Sequence, residues 1–211
     1  MACWGLGSGG TDAGQATPPA GTFTALSAGY VHTCGVRTSG AVACWGYNVQ
    51  GEATPPAGTF TAVSAGNEHT CGLRTNETLA CWGDNTYGQA TPPAGTFTAV
   101  TAGPFHTCGL MTSGIVACWG GNDFPQAFPP PGTFTAISAD GFVSNSQTCG
   151  VKTTGSLACW GYGQAPATPP TGAFSAISAG AGHACGVRTN GRVACWGAND
   201  FGQATVPPGF R

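Results

Sequence analysis

The triplet Cys-Trp-Gly recurs six times, at Cys3, Cys44, Cys81, Cys118, Cys159 and Cys195, each time inside the same longer phrase. Successive cysteines in this set are 41, 37, 37, 41 and 36 residues apart. A period of that length belongs to stacked repeat architectures and not to one conventional globular core. The chain reads as a single repeat domain, 1–211, with a partial unit over 1–22 and full repeats beginning at Phe23, Phe60, Phe97, Phe134 and Phe174.

One unit is clearest from Phe60 to Gly95. Short runs of Phe, Thr, Val and Leu alternate with small residues and are punctuated by Gly, Asn or Pro, the pattern of short strands and tight turns. The unit reads as four strands, near Phe60–Ala65, His69–Thr75, Thr78–Trp82 and an outer Gln89–Thr91. Pro92-Pro93 then stops pairing, because proline has no amide donor.

Each full unit carries a second cysteine ten residues before the first, giving Cys34/Cys44, Cys71/Cys81, Cys108/Cys118, Cys149/Cys159 and Cys185/Cys195. Each pair straddles a turn such as Thr38-Ser39-Gly40, so an antiparallel hairpin sets the two side chains opposite one another. Facing Cα atoms then lie about 4.5–5.5 Å apart, within disulfide reach. Zinc would call for Cys-x-x-Cys or a cysteine–histidine set, and no Cys-x-x-Cys occurs. Five intra-blade disulfides are expected, with Cys3 unpaired, and covalent pairs place the protein in an oxidising compartment, secreted or at the cell surface.

Composition agrees with a turn-rich extracellular chain: 36 Gly and 16 Pro, 7% charged residues and a net charge of −2. With no basic run there is no electrostatic footprint for nucleic acid, and no segment is long and apolar enough for a membrane span. Met1-Ala2 leads straight into a repeat strand, so either the start is artificial or an export signal has been removed.

The phrase S-A-G-x-x-H-T-C-G-[VL]-R-T-x-G-x-[VL]-A-C-W-G-x-N-x-x-G-Q resembles the repeat of the regulator-of-chromosome-condensation (RCC1) family. The resemblance runs over essentially the whole chain. It extends to bacterial secreted members such as the propeller-type β-lactamase inhibitory proteins, from which the cysteine pair is a departure. The resemblance implies an all-β fold, a β-propeller of four-stranded antiparallel blades, one per repeat of about 37 residues, commonly seven around an axis. It also implies that aromatic residues after Ser-Ala-Gly contact a protein partner.

Most repeated side chains read as scaffold. The six tryptophans suit packing between blades. His32, His69, His106 and His183, with Gln147 in the fifth place, are expected to bond within their own blades and to hold no metal, glutamine being a poor ligand beside imidazole. Arg37, Arg74 and Arg188 read as solvated strand ends, and Asn48, Asn85, Asn122 and Asn199 as turn residues. Single, scattered carboxylates and the lack of a nucleophile or phosphate-loop motif argue for no catalytic residues, no cofactor and no enzyme.

Binding candidates come from the two windows that vary between copies. The first, after Ser-Ala-Gly, offers Tyr30, Glu68, Phe105, Phe142 and Asn145; the second, after Cys-Trp-Gly, offers Tyr47, Tyr87, Phe124, Tyr162 and Phe201. Aromatics beside small polar residues suit a protein hot spot or a sugar platform. The leading reading is a secreted propeller that binds a protein partner. The alternatives are a self-assembling surface or filament subunit, which completes its cut blade with another copy of itself, and a multivalent lectin that binds glycan.

Overall fold

The computed structural model describes residues 13–123, 125–140, 146–161 and 169–210. Its described strands form five antiparallel sheets of three, one per unit. Unit 1 holds β1 (Phe23–Ala28), β2 (His32–Arg37) and β3 (Val42–Gly46); unit 2 holds β4 (Phe60–Ala65), β5 (His69–Arg74) and β6 (Leu79–Gly83). Unit 3 holds β7 (Phe97–Ala102), β8 (His106–Met111) and β9 (Val116–Gly120). Unit 4 holds β10 (Phe134–Asp140), β11 (Gln147–Lys152) and β12 (Leu157–Gly161), and unit 5 holds β13 (Phe174–Gly180), β14 (His183–Arg188) and β15 (Val193–Gly197).

Each sheet is a meander in which the middle strand pairs with both neighbours, and the hairpin between the second and third strands sets the cysteines face to face. In unit 1, Arg37 N donates to Ala41 O and Tyr47 N to Val31 O, so both of those rungs are hydrogen-bonded. Cys34/Cys44 lies three rungs from either, at a non-hydrogen-bonded pair, where facing strands come closest. All five expected disulfides are present, each with a Cα separation of 4.0 Å. Cys3 lies outside the described residues.

The segment read as a fourth strand, Gln89–Thr91, is not a strand here. Thr91 N donates to Gly88 O, closing a turn, and Ala90 N donates to the Asn85 side chain. Its main chain is used by the next unit instead: Gln89 O accepts from Trp119 Nε1 at 2.9 Å and from Thr107 Oγ1 at 3.0 Å. The same seam joins Gln15 to Trp45 and Thr33, Glu52 to Trp82 and Thr70, and Gln126 to Trp160 and Thr148. In these four places the tail of one unit is fastened to the sheet that follows.

The core lies between units and not inside them. Cys34 and Val36 of unit 1 pack against Phe60, Val63 and Trp82 of unit 2, and Cys108, Leu110 and Val116 pack against Phe134 in the same way. Within a unit the opening Phe meets the Trp edge-on, as in Phe60–Trp82 at 6.2 Å between centroids. A single three-stranded sheet could not hide these faces from water, so stacking of units supplies the hydrophobic stabilisation.

The repeated basic residue is more than a solvated strand end. Arg37, Arg74 and Arg188 lie over Phe23, Phe60 and Phe174 at 4.7–5.1 Å and donate to the carbonyls of Ala20, Ala57 and Thr171. Each covers the opening phenylalanine as a cation–π lid and ties down the incoming Pro-rich connector.

Candidate functional site

Three strands per unit decide where the variable windows go. An odd number of antiparallel passes returns the chain, after the third strand, to the end at which the first strand turned into the second. Both windows therefore emerge at one end of the stack, and the hydrogen bonds show them joined. Tyr47 N donates to Val31 O, Asp84 N to Glu68 O, Gly121 N to Phe105 O and Ala198 N to Gly182 O, at 2.7–3.0 Å. In each of these four units the second window is anchored on the first.

At the same end the first windows surround a cavity of about 260 Å³. Its wall comes from all five units: Ala28, Gly29 and Tyr30; Ala65, Gly66 and Asn67; Ala102, Gly103 and Pro104; Asp140; and Ala181. Tyr30 N donates to Gly66 O, linking the windows of units 1 and 2. Most of the wall is backbone and methyl, so Tyr30, Asn67 and Asp140 carry its polar chemistry.

The candidate residues are distributed unevenly over this end. Tyr30 stands on the cavity wall and is 69% exposed. Tyr87 of unit 2 and Phe105 of unit 3 meet at 5.6 Å, so an aromatic pair bridges the second window of one unit and the first of the next. Glu68 and Tyr47 are half-buried members of the joined windows, whereas Phe201, 95% exposed, stands apart in unit 5. Phe124, Phe142, Asn145 and Tyr162 lie outside the described residues. The candidate set missed Asn67, Pro104 and Asp140, although each occupies the first window, where the signal was position and not aromaticity.

Three of the four histidines correct a sequence expectation, because they bond to the following unit and not within their own. His32 Nε2 meets Thr70 Oγ1 at 2.6 Å, His69 meets Thr107 at 2.9 Å and His106 meets Thr148 at 2.8 Å. Each threonine hydroxyl donates its proton to a main-chain carbonyl, so the imidazole must be the donor, which fixes the neutral Nε2–H tautomer. Burial pushes the three rings down, His32 and His106 to about 4 and His69 to about 3, with the neighbouring imidazoles of His106 and His32 adding to the effect at His69. Among the described residues no group of His, Cys, Asp or Glu is disposed to hold a metal. Asp84, in the second window of unit 2, is opposed by burial, but hydrogen bonds from Thr86, Gln89 and Asn85 outweigh it and hold the carboxyl below its usual range.

Disulfide-stapled meander sheets stacked through tryptophan seams, with variable loops gathered at one end, define a propeller-type repeat module. The repeat profile described as the regulator of chromosome condensation (RCC1) repeat matches residues 23–52, 60–89, 97–126 and 174–203, and the chain belongs to that family. Among solved structures it is similar to the entire ectodomain of the Physcomitrella patens receptor kinase CR4, at 34% identity and a TM-score of 0.68 over 83% of this chain and 50% of that one. It is also similar to the CRINKLY WD40 ectodomain of the Arabidopsis thaliana receptor kinase ACR4, at 33% identity and a TM-score of 0.65, covering 82% and 62% of the two chains. Yeast RCC1 (Prp20), solved bound to Kap60, shares the fold at 16% identity and a TM-score of 0.66, with 82% and 56% covered. The chain thus spans about half to three fifths of the length of these solved chains. No curated protein sequence matches it. The disulfides and the likeness to two ectodomains mark an extracellular type of module.

Proposed function

We propose that the chain is a secreted, non-enzymatic binding module that engages a protein partner through the loop end of its stacked sheets. The observation that carries this reading is the gathering of both variable windows at one end, where the first windows line one cavity with walls from five units. Rigid sheets position the loops, and the loops differ between copies while the scaffold does not, which is the usual division of labour in binding folds. Tyr30 and Tyr87, both more than half exposed, are the anchors best placed to enter a partner's surface. A photo-crosslinking residue at Tyr30 or Tyr87, compared with one at Ser113 in the opposite turn, tests the reading in the secreted fraction of the source. Adducts at the first two positions and none at Ser113 support it; adducts at Ser113 alone overturn it.

Self-assembly has one observation in its favour. Val187 of unit 5 is 38% exposed, while its equivalents Val36, Leu73, Leu110 and Val151 are covered to 7% or less. The first strand of a neighbouring copy would cover it as β4 covers Val36. Light scattering on the unreduced protein separates the two readings: a monomer at all concentrations removes self-assembly.

A further inference from the structure

The charged residues are sorted between the two ends of the stack. All five described cationic side chains lie at the hairpin end: Arg37, Arg74, Lys152 and Arg188 close their strands there, and Arg192 directly precedes β15. Of the described acids only Glu77 shares that end. Glu68, Asp84, Asp123, Asp140 and Asp200 all reach solvent, at least partly, at the loop end, which has no described lysine or arginine. A net charge of only −2 conceals this, because opposite signs cancel over the chain but not over the surface.

The cavity sits at the acidic end, and its wall includes both Tyr30 and Asp140, from units 1 and 4. At about 260 Å³ it is smaller than the roughly 300 Å³ at which drug-sized ligand sites begin, so it suits one long side chain better than a whole small molecule. A phenol face and a carboxylate are the two groups that stabilise an ammonium or guanidinium in a partly dry setting. The bridging Tyr87–Phe105 pair adds an apolar platform at the same end.

We infer that the partner of the loop end is a basic protein surface, and that one of its lysine or arginine side chains enters the cavity whose wall holds Tyr30 and Asp140. This rests on the reading of the loop end as the binding face and adds the chemistry of what binds there. Acidic loops and a basic rim at the opposite end would also orient an approaching cationic partner, so that association slows as salt rises.

The test uses a phage-displayed random dodecapeptide library selected against the full oxidised chain, followed by affinity measurement of synthetic winners on the parent protein, Asp140→Asn and Tyr30→Phe. The expected result is winners rich in Lys and Arg whose crosslinks map to the loop end, with affinity reduced by about fivefold or more in Asp140→Asn and little changed in Tyr30→Phe, which keeps the ring face. Winners that map to the loop end but lack basic residues, or that ignore Asp140→Asn, overturn the inference while leaving the binding face standing. Winners that map to the hairpin end overturn both.

Discussion

The junctions between units 1 and 2, 2 and 3, and 3 and 4 differ from the junction between units 4 and 5 at three positions that touch. In the first three, a histidine lies against the glycine of its own Ala-Gly and donates to the next unit's threonine. A Cβ built on Gly103 would stand 2.3 Å from His106 Cε1 and 2.5 Å from Nδ1. At the fourth junction Gln147 replaces the histidine, Asp140 replaces the glycine, and Ala184 replaces the threonine. Gln147 Nε2 donates instead to Gly180 O at 2.7 Å and His183 O at 2.9 Å. The three changes form one change. A flexible amide with two protons needs no hydroxyl acceptor and leaves room for a side chain, which puts a carboxylate on the cavity wall. The matched repeat spans pass over unit 4, the unit in which this exchange begins.

The largest way to separate the two kinds of junction is acid. His32, His69 and His106 bind a proton near 6.5 in the unfolded chain but only near 3 to 4 in the folded one. Their contribution to stability is therefore complete above about pH 6.5 and is lost as pH falls toward the folded values. The loss is about 1.4 kcal/mol per pH unit for each ring, and about 4 for the three together. Urea midpoints should be flat above about pH 6.5 and fall steeply from there to pH 5, before the carboxylates titrate. Removing the histidine–threonine pair of the second junction, with His69→Gln and Thr107→Ala, should remove about a third of that slope. An unchanged midpoint at pH 5 would contradict the buried neutral ladder.

Next in size are the staples, which do not distinguish the junctions. Removing Cys71/Cys81 beside a histidine junction, or Cys149/Cys159 beside the glutamine junction, as double alanine variants, should cost about 2–3 kcal/mol in either case, because the closed loops are equal in length. A large difference between the two would show that junction chemistry also sets the effect of the disulfide.

The glycine comparison comes third. Gly103→Ala forces its methyl into a buried imidazole and should cost about 1–3 kcal/mol. Asp140→Gly, at the equivalent place, should change stability by well under 1 kcal/mol apart from added chain entropy. Gly29, Gly66 and Gly103 show no left-handed φ, so the requirement is one of space and not of backbone conformation. Equal effects of the two substitutions would remove the steric account.

Much of this architecture was legible because its signals are local. The ten-residue cysteine spacing and the turns between the pairs specify a hairpin, and the strand starts at Phe60 and His69 coincide with those read from the sequence. What was not legible lies between units. The carbonyl of Gln89 serves Trp119, thirty residues away, so the tail resembled a fourth strand. The histidine partner lies 38 to 42 residues on, in another sheet. The one available hint was the joint departure at 140, 147 and 184, which reads as noise until the three positions are known to touch. For the loop end, aromatic content drew attention to Tyr30 and Tyr87, but the sorting of charge between ends needs the strand count, which decides the end to which each window returns.

The smallest effect concerns a local contrast of the same kind, between Glu52 in unit 1 and Gln89 in unit 2. Both side chains are buried under a Trp seam and accept a main-chain proton two residues back, Glu52 from Gln50 N and Gln89 from Tyr87 N, at 2.8 Å. The second polar atom of Gln89 donates to Asp84 at 2.7 Å. In Glu52 that atom is Oε1, fully buried and without a donor, and Tyr47 stands where Asp84 receives the Gln89 amide in unit 2. An unmatched buried acceptor is destabilising, yet an amide at the same place would bring protons with no carboxylate to receive them. Glu52→Gln should therefore raise stability by no more than about 1 kcal/mol. Thermal denaturation of this variant at neutral pH measures it, and a lowered midpoint would mean that Oε1 has a donor the fold supplies in solution.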